Sequence, residues 1–556
     1  MRFISCACGL FFVSTILHAD PSASPAPASP ISAARIKADV EKLSSDEFLG
    51  RGPGEEGEKK TIAYLAQAFE KAGLEPGGEN GTWFQEVPLV RLDRQPGASL
   101  SLKVGAKETP LVLGRDASLS LRNAGSTSLK DAPLVFAGYG VVDSGKGWNA
   151  YEGIDMKGKI AVILANDPDF EGGRDLGFEG RRMAYAGRSG AKFEAAANAG
   201  AAGLVIIHEE AAASYPFSQL GSGDALPTMV YAPLTPSAIQ FSSWITLDVA
   251  QDLLARIGLK LDELKTKSRD PAFRAFAMKD ATLSAAGEIK ATPFKSHNVL
   301  AQLKGRDRPN EYILYGAHWD ANGQNGPDKT GDGIRNGAVD NATGTAEVLE
   351  LARAFKNGPQ PARTVLFAAW AAEEKGLLGS EYYASHPLHP LARFAGVINL
   401  DPHVVLPAAR DIELIGVGRT SLEDDFARIA KAQNLRVTPE PNPEAGWYFR
   451  SDHYPFAKRG VPVLAFRAGR DLVDGGTAAG QKIVSAYNTD CYHQPCDQFD
   501  SKWTFAGTVQ EARVAFSLGK ELANSTAWPD WKDGSEYKPL RAQSEAERAK
   551  AQAPLE

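Results

Sequence analysis

The sequence has few cysteines and lacks several short motifs that commonly mark enzyme active sites. Its 556 residues include four cysteines, two of which, Cys6 and Cys8, lie in an apolar N-terminal segment. The patterns G-x-S-x-G, G-x-x-x-x-G-K-[ST] and H-E-x-x-H are all absent. These absences argue against a serine hydrolase elbow, a P-loop and a zincin helix.

An excess of positive charge is also missing. The chain has 68 Asp and Glu residues against 61 Lys and Arg residues, which gives a net charge of −7. Proteins that bind nucleic acids in general usually carry a basic excess, so we expect no nucleic-acid partner. The content of 43% hydrophobic and 23% charged residues is ordinary for a soluble globular protein.

The sequence has no apolar run long enough to cross a bilayer, which takes roughly 20 residues. Arg2 precedes a shorter apolar run, residues 3–17, and Ala19 offers a cleavage point. We therefore expect residues 1–19 to be a signal peptide, with an uncleaved anchor as the alternative. The protein would then be exported, to the periplasm or beyond, without stable membrane insertion. Residues 20–35 are rich in Pro, Ala and Ser and are predicted to be a flexible linker.

The pattern of apolar runs predicts an α/β fold. After residue 297, four continuous apolar runs alternate with amphipathic helical patterns, which is typical of a parallel sheet covered by helices. We expect residues 36–97 and 286–530 to form a mostly parallel open sheet flanked by helices. Residues 98–285 are predicted to be an inserted mixed α/β domain. Residues 531–556 are predicted to be a charged, solvated tail.

Three of these runs end in His, Asp or Glu, at the edge where open α/β sheets bind ligands. Imidazoles and carboxylates are ligands that suit zinc. Two zinc ions would bring four positive charges, which three carboxylates and one bridging hydroxide would neutralise. The sequence therefore predicts two Zn²⁺ per chain, and the candidate ligands are His318, Asp340, Glu374, Asp401 and His493.

Two acids beside the candidate ligands have predicted roles in catalysis. If Glu374 binds a metal, its neighbour Glu373 can face the attacking water and act as general base. Asp320 follows His318 by two residues and can accept the second imidazole N–H, which would fix the tautomer of His318.

The two remaining cysteines, Cys491 and Cys496, bracket His493. In an exported protein we expect this pair to form a disulfide that stiffens the loop around His493, and a reduced pair is the alternative.

The segments HxD, DNATG, AAEEKGLLGS, NLD and YHQP, in this order, resemble those of the co-catalytic di-zinc exopeptidases. That family includes bacterial aminopeptidases, glutamate carboxypeptidase and the single-zinc glutaminyl cyclases. The resemblance covers about residues 36–95 and 290–530. Residues 131–285 resemble a protease-associated domain, a common insert that shapes or covers the cleft in this family. The segment SDHYPF, residues 451–456, resembles a family segment near the substrate pocket.

The resemblance also implies a role for each candidate residue. Asp340 would bridge the two metals. His318 and Asp401 would complete one site, and Glu374 and His493 the other. Glu373 would be the general base, and Tyr492 would stabilise the tetrahedral intermediate.

On this basis we expect a hydrolase, a di-zinc metalloaminopeptidase whose partner is a peptide with a free N-terminus. A carboxypeptidase or dipeptidase on the same fold is the first alternative, with Arg450 and Arg467 as candidates for binding a substrate carboxylate. A non-catalytic binding homologue is the second. A glutaminyl cyclase is disfavoured because five candidate ligands suit two metals. The preferred substrate residue and the oligomeric state stay open.

Overall fold

The computed structural model describes residues 30–173, 175–220, 227–401 and 404–552. The predicted signal peptide and most of the predicted linker lie outside these residues. None of the described helices combines the length and the apolar character needed to cross a bilayer.

Strands occur along most of the described chain. They are β1 (Glu75–Pro76), β2 (Phe84–Arg94), β3 (Ser99–Val104), β4 (Lys107–Leu111), β5 (Ser120–Leu121), β6 (Gly125–Phe136), β7 (Val142–Asp143), β8 (Trp148–Asn149), β9 (Ile160–Leu164), β10 (Gly203–Ile207), β11 (Thr228–Tyr231), β12 (Phe241–Ile245), β13 (Phe276–Leu303), β14 (Arg308–His318), β15 (Gly323–Gln324), β16 (Ile334–Arg335), β17 (Arg363–Trp370), β18 (Phe394–Asn399), β19 (Asp411–Ile415), β20 (Arg436–Pro439) and β21 (Val463–Ala468).

Helices flank and connect these strands. They are α1 (Ala33–Leu43), α2 (Glu56–Lys71), α3 (Ser189–Asn198), α4 (Glu210–Ala213), α5 (Leu247–Arg256), α6 (Leu261–Lys267), α7 (Gly344–Lys356), α8 (Leu378–Ser385), α9 (Leu422–Ala432), α10 (Tyr454–Ala457), α11 (Gly476–Asp490), α12 (Ala506–Asn524), α13 (Lys538–Gln543) and α14 (Glu545–Gln552).

The four apolar runs predicted to be strands form the centre of one sheet. Strands β17, β14, β18 and β21 are neighbours in this order, and all three pairings are parallel. Antiparallel pairing adds β13 beside β17 and β19 beside β21. On one face, α1, α7, α9 and α12 pack against the strands in a large apolar core. On the other face, α8 and α10 contribute to a second core. The predicted α/β class with a mostly parallel sheet is confirmed.

A single long strand joins the predicted insert to the rest of the fold. The first half of β13 pairs with β6 and β3, its middle with β2, and its last residues with β17. The expected domain border at residue 285 therefore falls inside a continuous strand. Within the insert, β6, β9, β10 and β12 are parallel neighbours.

The C-terminal segment differs from the solvated tail that we predicted. The indole Nε1 of Trp531 donates a hydrogen bond to the carbonyl of Gly460 at 2.9 Å, and Arg541 Nη1 donates to the carbonyl of Phe394 at 3.0 Å. Both side chains are 2% exposed. Tyr537 is buried in the same apolar core as Trp531, and Lys532 pairs with Glu423 at 3.4 Å. Composition alone did not reveal this docking, because a few residues within a charged segment carry it.

Candidate metal centre and substrate cleft

The structure brings the five predicted metal ligands together at the carboxyl ends of the parallel strands. His318 is the last residue of β14, Glu374 follows β17, and Asp401 follows β18. Asp340 lies in the turn before α7, and His493 follows α11. Their donor atoms form two clusters, each within 4.8 Å: His318 with Asp340 and Asp401, and Asp340 with Glu374 and His493.

The two clusters share Asp340, whose carboxylate oxygens face different imidazoles. Oδ1 lies 3.2 Å from His318 Nε2, and Oδ2 lies 3.1 Å from His493 Nε2. Asp401 Oδ1 lies 3.7 Å from His318 Nε2, and Glu374 Oε2 lies 3.0 Å from His493 Nε2. Although burial opposes it, the two imidazoles lower the pKa of Asp340, so this carboxylate is ionised. An ionised carboxylate between two imidazoles is suited to bridge two cations.

Two buried donor atoms in these clusters support a metal as the missing partner. His318 Nε2 and Glu374 Oε1 have no hydrogen-bond partner among the described residues. Leaving such atoms unpaired costs about 1–3 kcal/mol each. One nitrogen and two carboxylate groups in each cluster form a donor set that zinc accepts. The residues present therefore fit a pair of zinc ions.

The role predicted for the Asp320 side chain needs a correction. The backbone carbonyl of Asp320, at 3.1 Å, contacts His318 Nδ1, whereas the carboxylate Oδ1 is 3.8 Å away. The carboxylate instead accepts the backbone N–H groups of Glu373 at 3.0 Å and Glu374 at 3.3 Å. Asp320 therefore orients both the imidazole and the turn with the two glutamates, and burial raises its pKa to about 7.

Local backbone geometry presents two of the site residues. Ala372, just before Glu373, has φ 53°, and His493 has φ 61°. Both values lie in the left-handed region, which non-glycine residues seldom adopt and which is found at functional turns. The structure also pairs Cys491 with Cys496 in the predicted disulfide, so His493 sits inside a closed loop.

Sequence reasoning missed Asp497, which supports the turn that carries Asp340. Its carboxylate accepts the backbone N–H groups of Val339 at 2.9 Å and Asp340 at 3.1 Å, and the Tyr487 hydroxyl at 3.0 Å. The residue is 3% exposed, and burial raises its pKa to about 7. Asp497 follows the cysteine loop directly, but no spacing rule marks it.

Ser451 and Asn399 support Asp401, and the sequence analysis identified neither of them in this role. The Ser451 hydroxyl donates to Asp401 Oδ2 at 2.5 Å, and Asn399 Nδ2 donates to Ser451 Oγ at 2.7 Å. This chain of hydrogen bonds fixes the rotamer of the Asp401 carboxylate. SDHYPF was the one sequence signal here, because Ser451 is its first residue.

A buried arginine reinforces the acidic side of the centre. The Arg51 guanidinium donates to backbone carbonyls at 2.6 to 2.8 Å, and the acceptors are Leu43, Trp319, Asn336 and Gly337. Burial lowers its pKa to about 10, and the nearby acids, Asp497 first among them, oppose this shift. Arg51 therefore places a positive charge beside the carboxylates and connects the turn before α2 to the loop after β14.

A cleft opens beside the clusters, and Glu373, Asp401 and Tyr492 line it. Burial, followed by the neighbouring acids, raises the pKa of Glu373 well above its usual range, although His318 opposes this shift. The Tyr492 ring stacks on the His493 ring at 3.8 Å, and its hydroxyl accepts a hydrogen bond from Arg450 Nη2 at 3.3 Å. Of the three predicted catalytic residues, Glu373 and Tyr492 thus line the cleft, whereas Asp320 does not.

A second cavity continues this cleft toward the insert. The two cavities share four lining residues, and these are Trp447, Arg450, Arg467 and Tyr492. The insert contributes Tyr215 and Gln219 to the second cavity, and Gln219 Nε2 donates to the carbonyl of Asn488 at 2.9 Å. The cleft is therefore built by both parts of the chain.

Comparison with known families agrees with this geometry. Residues 298–517 match the model of peptidase family M28, and residues 129–238 match the PA domain. The M28 match contains all five candidate ligands and Glu373, and the PA match lies within the predicted insert.

Individual relatives match parts of the chain. A probable zinc metalloprotease of Pyrenophora teres f. teres is 42% identical over 239 residues, covering 43% of this chain and 45% of the relative. A glutamate carboxypeptidase 2 homolog of Caenorhabditis elegans is 26% identical over 503 residues, covering 74% of this chain and 59% of the relative. The chain spans less than half the length of the first curated relatives that it matches.

A solved structure shares the fold over most of the chain. The aminopeptidase from Aneurinibacillus sp. strain AM-1 aligns with a TM-score of 0.53 at 20% identity, covering 90% of this chain and 96% of that one. At this identity the likeness establishes the fold of the M28 domain and its PA insert.

Proposed function

We propose that the protein is an exported di-zinc aminopeptidase that removes the N-terminal residue from peptides with a free amine. The observation that carries this proposal is the Asp340 carboxylate, whose two oxygens face His318 and His493 beside a cleft lined by Glu373. The M28 match of the same residues supports it. The disulfide between Cys491 and Cys496 supports export.

In this proposal, His318 and Asp401 would hold one zinc, Glu374 and His493 would hold the other, and Asp340, which belongs to both clusters, would contribute to both sites. Bound zinc ions supply Lewis acidity for the scissile carbonyl and lower the pKa of water. Asp320, Ser451 and Asp497 hold the ligand side chains or their backbone in place, a support that strongly affects metal affinity.

Glu373 acts as the general base. Its carboxylate lies in the cleft next to the clusters, with Oε2 3.8 Å from His318 Nε2. It takes a proton from the attacking water and returns it to the departing amine. Burial raises the pKa of Glu373, so its affinity for the proton in transit is increased. Tyr492, polarised by Arg450, donates its hydroxyl hydrogen to the oxygen that gains charge at the carbonyl.

The test combines activity with metal content. The protein is loaded with zinc and assayed on aminoacyl-nitroanilides beside their N-acetylated forms. Cleavage of the free-amine substrates alone, with two zinc ions per chain, is the expected result. Glu373→Gln should reduce kcat by about 10²-fold or more with its zinc retained, because proton transfer contributes 10²–10⁴-fold. The control is Glu41→Gln, an exposed glutamate of α1. Failure to bind zinc would refute the proposal.

A dipeptidase or carboxypeptidase is the second candidate, and a pair of arginines favours it. Arg450 lines the cleft. Arg188 belongs to the insert, and burial, followed by the positive charge of Arg450, lowers its pKa to about 10. Among the described residues, neither arginine forms an ion pair with a carboxylate. Two adjacent cations without an acid suit the carboxylate of a leaving residue.

Dipeptides and their C-terminal amides separate the two candidates. A dipeptidase would hydrolyse the free acid more efficiently than the amide, and Arg188→Met would remove this preference. Arg181→Met is the matched control, since Arg181 lies on the same segment and is 60% exposed. Equal rates on the free acid and the amide would contradict the dipeptidase candidate and leave the aminopeptidase as the remaining proposal.

A further inference from the structure

A recess beyond Asp401 is formed by three adjacent strands of the central sheet. The register pairs Asn399 of β18 with Ala465 of β21, and Ala465 with Ile415 of β19. Because paired residues face the same side of a sheet, these side chains form one row along the floor of the cleft. Arg467 lies two residues further along β21 on the same face. His453, just before α10, also lines the cleft.

Several buried polar atoms of this recess have no partner. Among the described residues, nothing hydrogen-bonds to Asn399 Oδ1, to either ring nitrogen of His453 or to Arg467 Nη2. The three residues are 1%, 1% and 5% exposed, respectively. Each such atom costs about 1–3 kcal/mol when it stays unpaired. Four such atoms, on three residues that line one recess, indicate that a polar group binds there.

The hydrogen bonds around Asn399 decide which of its amide atoms faces the recess. The Ser451 hydroxyl donates its hydrogen to the Asp401 carboxylate, which can only accept. Ser451 Oγ must therefore accept the Asn399 contact, which assigns Nδ2 to Ser451. The carbonyl oxygen Oδ1 is left without a partner among the described residues, and Asn399 lines the cleft, so this residue has an acceptor to offer a ligand.

The other two residues of the recess are Arg467, which supplies a hydrogen-bond donor, and His453, which supplies a neutral imidazole ring. Arg467 Nε donates to Glu413 Oε2 at 2.9 Å, which leaves the donor Nη2 for a ligand. Burial lowers the pKa of His453 to about 4, so its ring is neutral and offers one donor and one acceptor. The recess thus presents donors and acceptors in a space whose floor is Ala465 and Ile415.

We propose that this recess binds a side-chain carboxamide, so that the enzyme prefers peptides that begin with Gln or Asn. The ligand carbonyl accepts from Arg467 Nη2, its NH₂ donates to Asn399 Oδ1, and His453 completes the set. A carboxylate would bring a second acceptor against Asn399 Oδ1. An apolar side chain would leave all three groups unpaired. This inference rests on the aminopeptidase proposal, because it assigns the recess to the first residue of the substrate.

Near-isosteric substrates test the preference. The zinc-loaded protein is assayed on Gln-, Glu- and Met-nitroanilide. We expect kcat/KM for Gln to exceed that for Met and for Glu by about 10-fold or more, since a site built to hydrogen-bond strongly rejects analogues that cannot pair. A Met or Glu substrate cleaved as well as Gln would overturn the proposal while leaving the aminopeptidase proposal intact.

A conservative variant separates the recess from general damage. Arg467→Lys retains a cation for Glu413 but removes Nη2, and should reduce the Gln-to-Met ratio of kcat/KM by about 5-fold or more. Arg470→Lys is the matched control, because Arg470 Nε also pairs with Glu413, at 2.8 Å, but does not line the first cavity. It should leave the ratio unchanged. An equal loss in both variants would contradict a specific role for Arg467.

Binding gives a readout that does not need turnover. Calorimetry with free L-glutamine, L-glutamate and L-methionine should show the tightest binding for glutamine to the zinc-loaded protein. If no nitroanilide is cleaved but glutamine still binds tightest, the aminopeptidase proposal fails and the recess chemistry is supported. If methionine binds as tightly as glutamine, the recess proposal fails.

Discussion

Replacing Asp497 with alanine probes the support beneath the bridging carboxylate. The Asp497 carboxylate accepts the backbone N–H groups of Val339 and Asp340, at 2.9 and 3.1 Å, in a part of the fold that water scarcely reaches. Asp497→Ala leaves two buried donors without their acceptor. At about 1–3 kcal/mol for each donor, the free energy of unfolding should fall by roughly 2–6 kcal/mol.

The same change should weaken metal binding, because Asp340 would lose the contact that fixes its backbone. Removal of such supporting groups typically lowers metal affinity by about 10–100-fold. Urea unfolding of the zinc-free protein measures the first effect, and competition with a chelator measures the second.

Asp490→Ala is the matched control, because Asp490 is an exposed acid at the end of α11 on the same loop. A change in unfolding free energy of less than about 0.5 kcal/mol in Asp497→Ala, the range of ordinary surface substitutions, would refute this reasoning. Unchanged zinc affinity in a destabilised variant would show that Asp497 supports the fold but not the metal centre.

Three further perturbations address the fold and the site. Burial raises the pKa of Glu347, and it raises that of Glu511 to about 8. The folded protein therefore loses stability as the pH rises from about 4.5 through 8, because these buried acids must then give up their protons. Urea unfolding should show that Glu347→Met is stabilised relative to wild type by more at pH 9 than at pH 6. Replacing Cys491 and Cys496 with serine should cost about 2 kcal/mol and weaken zinc binding, and equal chelator resistance in both proteins would contradict this. Arg51→Met should destabilise the protein by about 3 kcal/mol or more, because it removes a donor from four carbonyls, of which only that of Gly337 has another donor, the N–H of Ala342, among the described residues. Thermal unfolding at matched pH measures this loss, and an unchanged midpoint would contradict it.

The sequence sufficed to predict the sheet and three of the five candidate ligands for one physical reason. The carboxyl ends of parallel strands meet at one edge, so polar residues directly after buried runs converge there. His318, Glu374 and Asp401 follow this rule. Asp340 and His493 lie outside it; they were included because their side chains complete the donor set and charge balance of two zinc ions, and the family resemblance agrees with that choice.

Groups that act through hydrogen bonds across the chain could not be found in this way. Asp497 and Arg51 reach the centre over 157 and 268 residues of separation, respectively. Asp320 shows that the same difficulty arises at short range. Its carboxylate accepts the backbone N–H groups of Glu373 and Glu374, so its backbone carbonyl contacts the His318 ring instead, and the sequence could not show this. Spacing rules report which residues follow a strand, and not which of their atoms are already engaged.

The recess beside Asp401 depends both on strand register and on hydrogen bonds between residues that are distant in sequence. Its floor, from Asn399 to Ala465 to Ile415, is fixed by strand register and follows from the same sheet that positions the ligands. Its chemistry is fixed by a single serine, because the orientation of the Asn399 amide follows from the hydrogen bond that Ser451 gives to Asp401. The side chain that steadies a metal ligand therefore also determines which atom faces the substrate. If both proposals hold, catalysis and specificity are coupled through that one hydroxyl, and we expect Ser451→Ala to change zinc affinity and the Gln-to-Met ratio of kcat/KM together.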